Sequence, residues 1–238
     1  MASIGFSTGS LYKLNISMDE KIALLHSLGM EAIELSFEAP KELFGYRPSI
    51  ETQSLLKNFR YISIHAPWKR VGYSSGPKTE KLLHQLSYLC SKMHVKGIVL
   101  HPDIILDFQN ISKANFPFLM ENLAKKKYSD NLKHFEALKE NYEFGFALDI
   151  QSAYLKDSSM KLAEELFKVM GGKLRQFHVS GGSASESHSL VHLSNNKEAI
   201  ENFLKEHNKV HWILEGVAEK DVLVRLKKEL EYIKHIYP

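Results

Sequence analysis

The stretch FGFALDIQSAYLKDSSMKLAEELFKVMGGKLRQFHV, residues 144–179, holds one complete unit of the fold. An apolar run, FGFALD (144–149), leads to a helical segment, 158–170, in which Leu162, Leu166, Val169 and Met170 share one face before Gly171 and Gly172. A second apolar run, LRQFHV (174–179), follows. Strands that read as nearly continuous apolar runs suit a parallel sheet covered on both faces, and strand, helix, strand is the repeating element of such sheets.

The same pattern extends in both directions. Six further runs read as strands: SIGFST (3–8), EAIELSF (31–37), YISIH (61–65), GIVLH (97–101), FPFLM (116–120) and VHWILE (210–215). Between them, SMDEKIALLHSLG (17–29) carries a capping box from Ser17 and Glu20, a stripe of Leu24, Leu25 and Leu28, and a terminating Gly29. Residues 218–234 place Leu223, Leu226, Leu230 and Ile233 on one face, whereas the helix between His101 and Asn115 has room only to be short or irregular. Eight units in 238 residues is about 30 residues per unit, the length of a minimal β-α repeat, and the expected fold is an α/β (β/α)8 TIM barrel in one domain, 1–238. An open doubly wound sheet would need a nucleotide-binding loop at its switch point, and neither G-x-G-x-x-G nor G-x-x-x-x-G-K-[ST] occurs.

Composition narrows the function classes. With 44% hydrophobic and 25% charged residues, 13 Gly and 7 Pro, the chain is ordinary globular protein rather than a disordered or low-complexity one. The single cysteine, Cys90, excludes an internal disulfide and any multi-cysteine zinc or iron-sulfur site. No apolar run is long enough for a membrane span, and MASIGFSTGS lacks the basic and apolar regions of a signal peptide, so a cytoplasmic location is expected. A formal charge of +3 neither demands nor excludes nucleic acid, and the oligomeric state is left open.

Six of the eight strands end, at or just beyond the tip, in His65, His101, Glu121, Asp149, His178 and Glu215. In a (β/α)8 barrel the C-terminal strand ends converge on one rim, which brings these three carboxylates and three imidazoles together. Partly buried carboxylates repel one another, and a divalent cation relieves that repulsion. Mixed nitrogen and oxygen donors favour zinc, manganese, iron or cobalt over magnesium or calcium, and six donors leave room for one or two ions. The remaining histidines, His26, His84, His94, His134, His192, His207, His211 and His235, fall mainly on helices or at strand starts, away from this rim.

The ordered motifs ISIHAPW, GIVLHPD, MEN, ALDIQSAY, QFHVSGG and WILEG resemble, over nearly the whole chain, the xylose isomerase-like TIM-barrel superfamily of sugar isomerases, epimerases and endonuclease IV relatives. The resemblance implies one metal held by Glu121, Asp149, His178 and Glu215. Endonuclease IV relatives add ligands at the positions of His65 and His101, for a second metal. A third zinc site requires a histidine where this chain has Ser152 and an Asp-x-His that Glu186-Ser187-His188 only approximates, so a trinuclear centre is not expected.

Two enzyme readings follow. In an isomerase or epimerase, the metal chelates the carbonyl and adjacent hydroxyl of a small sugar or sugar phosphate and stabilises an enediolate, with Glu121 and Glu215 as the acid/base pair. In a phosphodiester hydrolase acting on abasic DNA, Glu121 bridges two metals and a metal-bound water attacks. A barrel that binds a small molecule without turnover is a third reading. The first is favoured by the absent third-site histidine, by short loops for gripping a duplex, and by Glu34, at the end of the second strand, as a residue to line the pocket or to enter a salt bridge. His65, His101 and His188 are then substrate contacts, and Trp68 either covers a sugar face, stacks on a base, or packs under Lys69 and Arg70. The loop VSGGSASES (179–187) offers Gly181 and Gly182 either as a phosphate grip or as a plain turn, and AKKK (124–127) lies on the same rim.

Overall fold

The computed structural model describes residues 2–124, 128–182, 188–218 and 220–237, with only the backbone of Tyr128. Eight strands, β1 (Ile4–Ser7), β2 (Ala32–Ser36), β3 (Tyr61–His65), β4 (Val95–Leu100), β5 (Phe118–Glu121), β6 (Gly145–Asp149), β7 (Leu174–Val179) and β8 (His211–Leu214), pair in sequence order. All pairings are parallel, and β1 pairs with β8 to close the barrel. Each strand lies on its expected run with ends one or two residues displaced, so the TIM barrel read from the sequence is the fold.

The helices cover the outside. They are α1 (Met18–Ser27), α2 (Pro40–Gly45), α3 (Ile50–Leu56), α4 (Pro77–Lys92), α5 (Phe108–Ser112), α6 (Tyr128–Asn141), α7 (Ile150–Lys156), α8 (Lys161–Met170), α9 (Lys197–Glu206) and α10 (Val222–Ile236). The capping box of Ser17 and Glu20 starts α1 as expected, and α5 is the short helix for which the spacing left room. Two expectations shift. The segment 158–170 begins as helix only at Lys161, after a left-handed Met160. The last helix begins at Val222, after a left-handed Asp221, so Leu223 sits in its first turn and is 47% exposed instead of joining Leu226, Leu230 and Ile233 in the core.

Strand alternation divides the molecule into two interiors. Outward residues, among them Phe6, Ile33, Leu35, Ile64, Leu100, Met120, Phe146, Phe177 and Trp212, form the main hydrophobic core beneath the helices. Inward residues fill the barrel itself and form two small apolar groups, Ala32 with Tyr61 and Ile213, and Val99 with Leu119 and Ala147. The Leu119 side chain fits because β4 and β6 carry glycines beside it. A Cβ on Gly97 would come within 2.5 Å of Leu119 Cδ1, and one on Gly145 within 2.6 Å of Leu119 Cδ2. Above this plug the inward positions become polar.

Gly97→Ala is expected to destabilise the fold by about 1–3 kcal/mol through overpacking against Leu119. In a Leu119→Ala background the same substitution should cost less, and a double-mutant cycle from urea denaturation reads the coupling. Equal costs in both backgrounds would place the strain elsewhere.

Candidate functional site

The polar end of the barrel opens into a cavity of about 630 Å³. The register explains which side chains reach it. Ser36 is paired with His65 and Asp149 with His178, so inward positions of adjacent strands meet at one height. His65, His101, Glu121, Asp149 and Glu215 line the cavity, together with Trp68, His188, Lys69, Lys21, Ser7 at the end of β1, and Thr8 and Gly9 just beyond it. His178 does not line the cavity and is fully buried against Glu121.

Glu121 is the hub. Its Oε2 lies 3.1 Å from both His65 Nε2 and His101 Nε2, and its Oε1 lies 2.6 Å from His178 Nδ1. Burial pushes a carboxyl pKa up, but the charge of His178 and the hydrogen bonds from His101, His178 and His65 hold Glu121 well below the usual carboxylate value. In return, His178 stands well above the usual imidazole value: burial opposes its protonation, and the surrounding Glu215, Glu34 and Glu121 outweigh that opposition. His65 moves the same way against its burial, through Glu121. Its Nδ1 faces the carbonyl of Ala66 at 3.1 Å, which fixes the ring with Nε2 towards Glu121.

Glu215 behaves oppositely. Burial, with help from the charges of Glu121 and Glu34, raises its carboxyl to about 7 although His178 pulls it down. Its Oε1 is 3.6 Å from His178 Nδ1, on the same side of the ring as Glu121.

Asp149 lines the cavity but turns away from this cluster. Its Oδ1 accepts from the Ser152 amide at 3.0 Å and its Oδ2 from the Ser152 hydroxyl, which caps α7. The Asn of the MEN motif sets the height of this strand end. Asn122 donates to the Asp149 carbonyl at 2.8 Å and accepts from the Asp149 amide at 2.7 Å, tying the tips of β5 and β6 together.

Glu34 differs from its expected place. It sits in the middle of β2 rather than at its end, is wholly buried, and does not reach the cavity. It lies below His178, where its Oε2 accepts from Ser63 Oγ at 2.9 Å and from Gln176 Nε2 at 2.7 Å, and is 3.2 Å from His178 Nε2. Burial alone would raise its carboxyl, yet His178 carries it below the ordinary value. Sequence reasoning missed Ser63, Gln176 and Asn122. Gln176 stands two residues before His178 and Ser63 two before His65, so period-2 alternation counted back from each tip was the available signal.

Trp68 packs edge-on against His65, with ring centres 4.6 Å apart, and lies 5.7 Å from the His101 ring. It therefore roofs the two histidines rather than packing under Lys69, whose ammonium pairs with Glu38. The Trp68 and Lys69 amides both donate to the Glu38 carbonyl, which anchors this roof to the loop after β2. His188 reaches the rim with its Nδ1 3.0 Å from Ser180 Oγ. Gly181 and Gly182 spend their amides internally, on the Ser189 carbonyl and on Asn196 Oδ1. A Cβ on either would overlap Ser194 or Gln151 at 2.2 and 2.4 Å, so close packing, not an anion, calls for glycine there. Glu186, Ser187, the rest of 183–187, and Lys125, Lys126 and Lys127 lie outside the described residues.

Two groups of possible ligand atoms, each within 4.8 Å of one another, result: His65 with His101 and Glu121, and Glu34 with His178 and Glu215. A third group among the described residues, Glu164 with Glu206 and His207, is on the outer surface between α8 and α9. No helix among the described residues is long and apolar enough to cross a membrane.

No protein-family model matches the chain, and no curated protein sequence does. Solved structures match it end to end. Endonuclease IV from Thermus thermophilus superimposes with a TM-score of 0.70 at 14% identity, over 98% of this chain and 99% of the other. A xylose isomerase domain containing protein from Salmonella typhimurium gives 0.67 at 14% identity, over 98% and 96%. D-allulose 3-epimerase from Methylomonas sp. gives 0.66 at 12% identity, over 99% and 98%. The chain thus has the (β/α)8 barrel fold that these three proteins share.

Proposed function

We propose that the protein is a divalent-metal-dependent isomerase or epimerase of a small sugar. The observation that carries this reading is the pair of carboxylates on one side of His178 Nδ1, Glu121 at 2.6 Å and Glu215 at 3.6 Å, driven in opposite directions by their surroundings. Two titratable groups pushed apart in this way are what an acid/base pair requires.

The residues present fit a divalent cation. Carboxylate and imidazole donors converge at cavity depth. Glu121, His178 and Glu215 would hold the ion, with Asp149 joining by exchanging the Ser152 hydroxyl. The bound ion supplies a Lewis acid for a carbonyl and its neighbouring hydroxyl. Zinc, manganese and cobalt all suit such a donor set. Glu121, ionised and oriented by three imidazoles, removes the proton α to the carbonyl. Glu215 would exchange the second proton with the sugar. His65 and His101 hold the Glu121 carboxylate in place, and Trp68 excludes water above them. The cavity volume suits one small substrate.

A second reading has its own observation. His65 and His101 meet on one oxygen of Glu121 while His178 holds the other, an arrangement that suits two metals bridged by Glu121 and phosphodiester hydrolysis. Elemental analysis of untagged protein, with turnover assays on a ketose panel and on an abasic-site duplex, separates the two. One ion per chain and ketose conversion are expected; two zinc ions and a nicked duplex would replace the first reading with the second.

Glu215→Gln should lower ketose turnover by about 10²–10⁴-fold with little change in melting temperature. Unchanged turnover would remove Glu215 from the acid/base pair. Metal affinity should also depend on pH. To hold a cation, Glu215, raised to about 7, and His178, raised above its ordinary value, would have to give up their protons. Zinc affinity measured by competition should therefore rise with pH, by roughly tenfold per unit and per displaced proton below neutrality. In the metal-free chain the sign is reversed for stability, because the folded state holds a proton on Glu215 that the unfolded state has lost. That contribution is present at low pH and fades as pH rises from the ordinary carboxyl value to about 7.

A further inference from the structure

Glu34 is a wholly buried carboxylate beside His178 that the proposed acid/base steps leave unused. Its Oε1 has no hydrogen-bond partner, and its Oε2 faces His178 Nε2 at 3.2 Å. The two nitrogens of His178 look in opposite directions: Nδ1 towards Glu121 and Glu215, Nε2 towards Glu34 and Gln176. A metal held with Glu121 and Glu215 takes the lone pair of Nδ1, so the proton of a neutral ring then sits on Nε2 and needs an acceptor.

Gln176 does not supply it. The Tyr61 hydroxyl donates to Gln176 Oε1 at 2.8 Å, which turns the amide so that its Nε2, a donor, is the atom 2.7 Å from His178 Nε2. Glu34 is the acceptor within reach. We propose that Glu34 is a positioning residue that accepts the Nε2–H of His178 and so presents Nδ1 to the metal. This inference rests on the metal site of the proposed function. In the loaded state Nδ1 gives any proton it held to solvent, Nε2 carries the ring's one proton, and Gln176 yields its contact with Nε2 while keeping its bond to Glu34. The unpartnered Glu34 Oε1 is acceptor capacity held for that state. Three strands take part, since β2 supplies Glu34, β3 Tyr61 and Ser63, and β7 Gln176 and His178.

The test is zinc titration of the full chain against a chromophoric chelator, comparing wild type, Glu34→Gln and His178→Ala, with ring ¹⁵N NMR of the zinc-loaded wild type. Glu34→Gln should bind zinc about 10- to 100-fold more weakly, as loss of an outer hydrogen-bond partner does. The loaded wild-type spectrum should show His178 protonated on Nε2. Wild-type affinity in Glu34→Gln, with His178→Ala impaired, overturns the role of Glu34 and leaves the metal site standing. A loaded ring protonated on Nδ1 overturns it too, and that measurement needs no variant to fold. A wild-type chain that takes up no zinc overturns the metal site, and this inference with it.

Discussion

Glu121 is a carboxylate with almost no contact with water, and it is held by imidazoles from β3, the end of β4 and β7. A charge so placed is tolerable only while its partners are present, because removing one leaves an uncompensated ion in a low-dielectric interior. The barrel must therefore close in the right register before Glu121 is satisfied, and satisfying Glu121 draws separate strands into that register. Closure and site assembly are one event. Burial, with the charges of Glu121 and Glu34, pushes the neighbouring carboxyl of Glu215 the other way, against the pull of His178.

What allows polar groups to collect there is the alternation of the strands. Outward positions carry the bulk and bury it under the helices, which frees the inward positions from any duty to be large or apolar. Halfway along the barrel Leu119 fills the bore between Gly97 and Gly145, and Tyr61 fills it on the other side, stacked on His211 at 3.9 Å. Above that floor, Ser63, Glu34 and Gln176 form a hydrogen-bonded layer on which His178 rests. The polar rim is thus supported by polar residues that never meet solvent. Their precision comes from strands rather than loops, which suits a site whose groups must keep their distances.

The fold was legible because each apolar run is short, bounded and followed by helical spacing, and because parallel strands announce themselves by being apolar on both faces. The rim was legible for a related reason: a barrel sends all strand tips to one end, so His65, Glu121 and Glu215 needed only to be recognised as tips. Depth was harder to read. Glu34 looks like a rim residue when its strand is taken to end with it, and only the pairing of Glu34 with Ser63 places it a layer lower. Leu223 was misplaced because helix periodicity says nothing about the left-handed Asp221 that delays the start of α10. Asp149 shows a third kind of ambiguity, since a carboxylate just before a helix is equally a cap and a ligand, and the hydroxyl of Ser152 turns it to the cap.

Ser152 also bears on the chemistry. The family resemblance places a histidine there in the nucleases, a further donor facing the metals. Serine instead bonds Asp149 and holds both of its oxygens at the start of α7. Position 152 thus offers no imidazole and keeps the Asp149 carboxylate at the helix start. The donors left closest together are His65, His101, Glu121, His178 and Glu215, with Glu34 behind them. On the proposed reading, this donor set would serve to polarise one carbonyl between two carboxyls of unequal basicity. Trp68, packed against His65 and His101 at the cavity wall, adds an apolar face beside these donors.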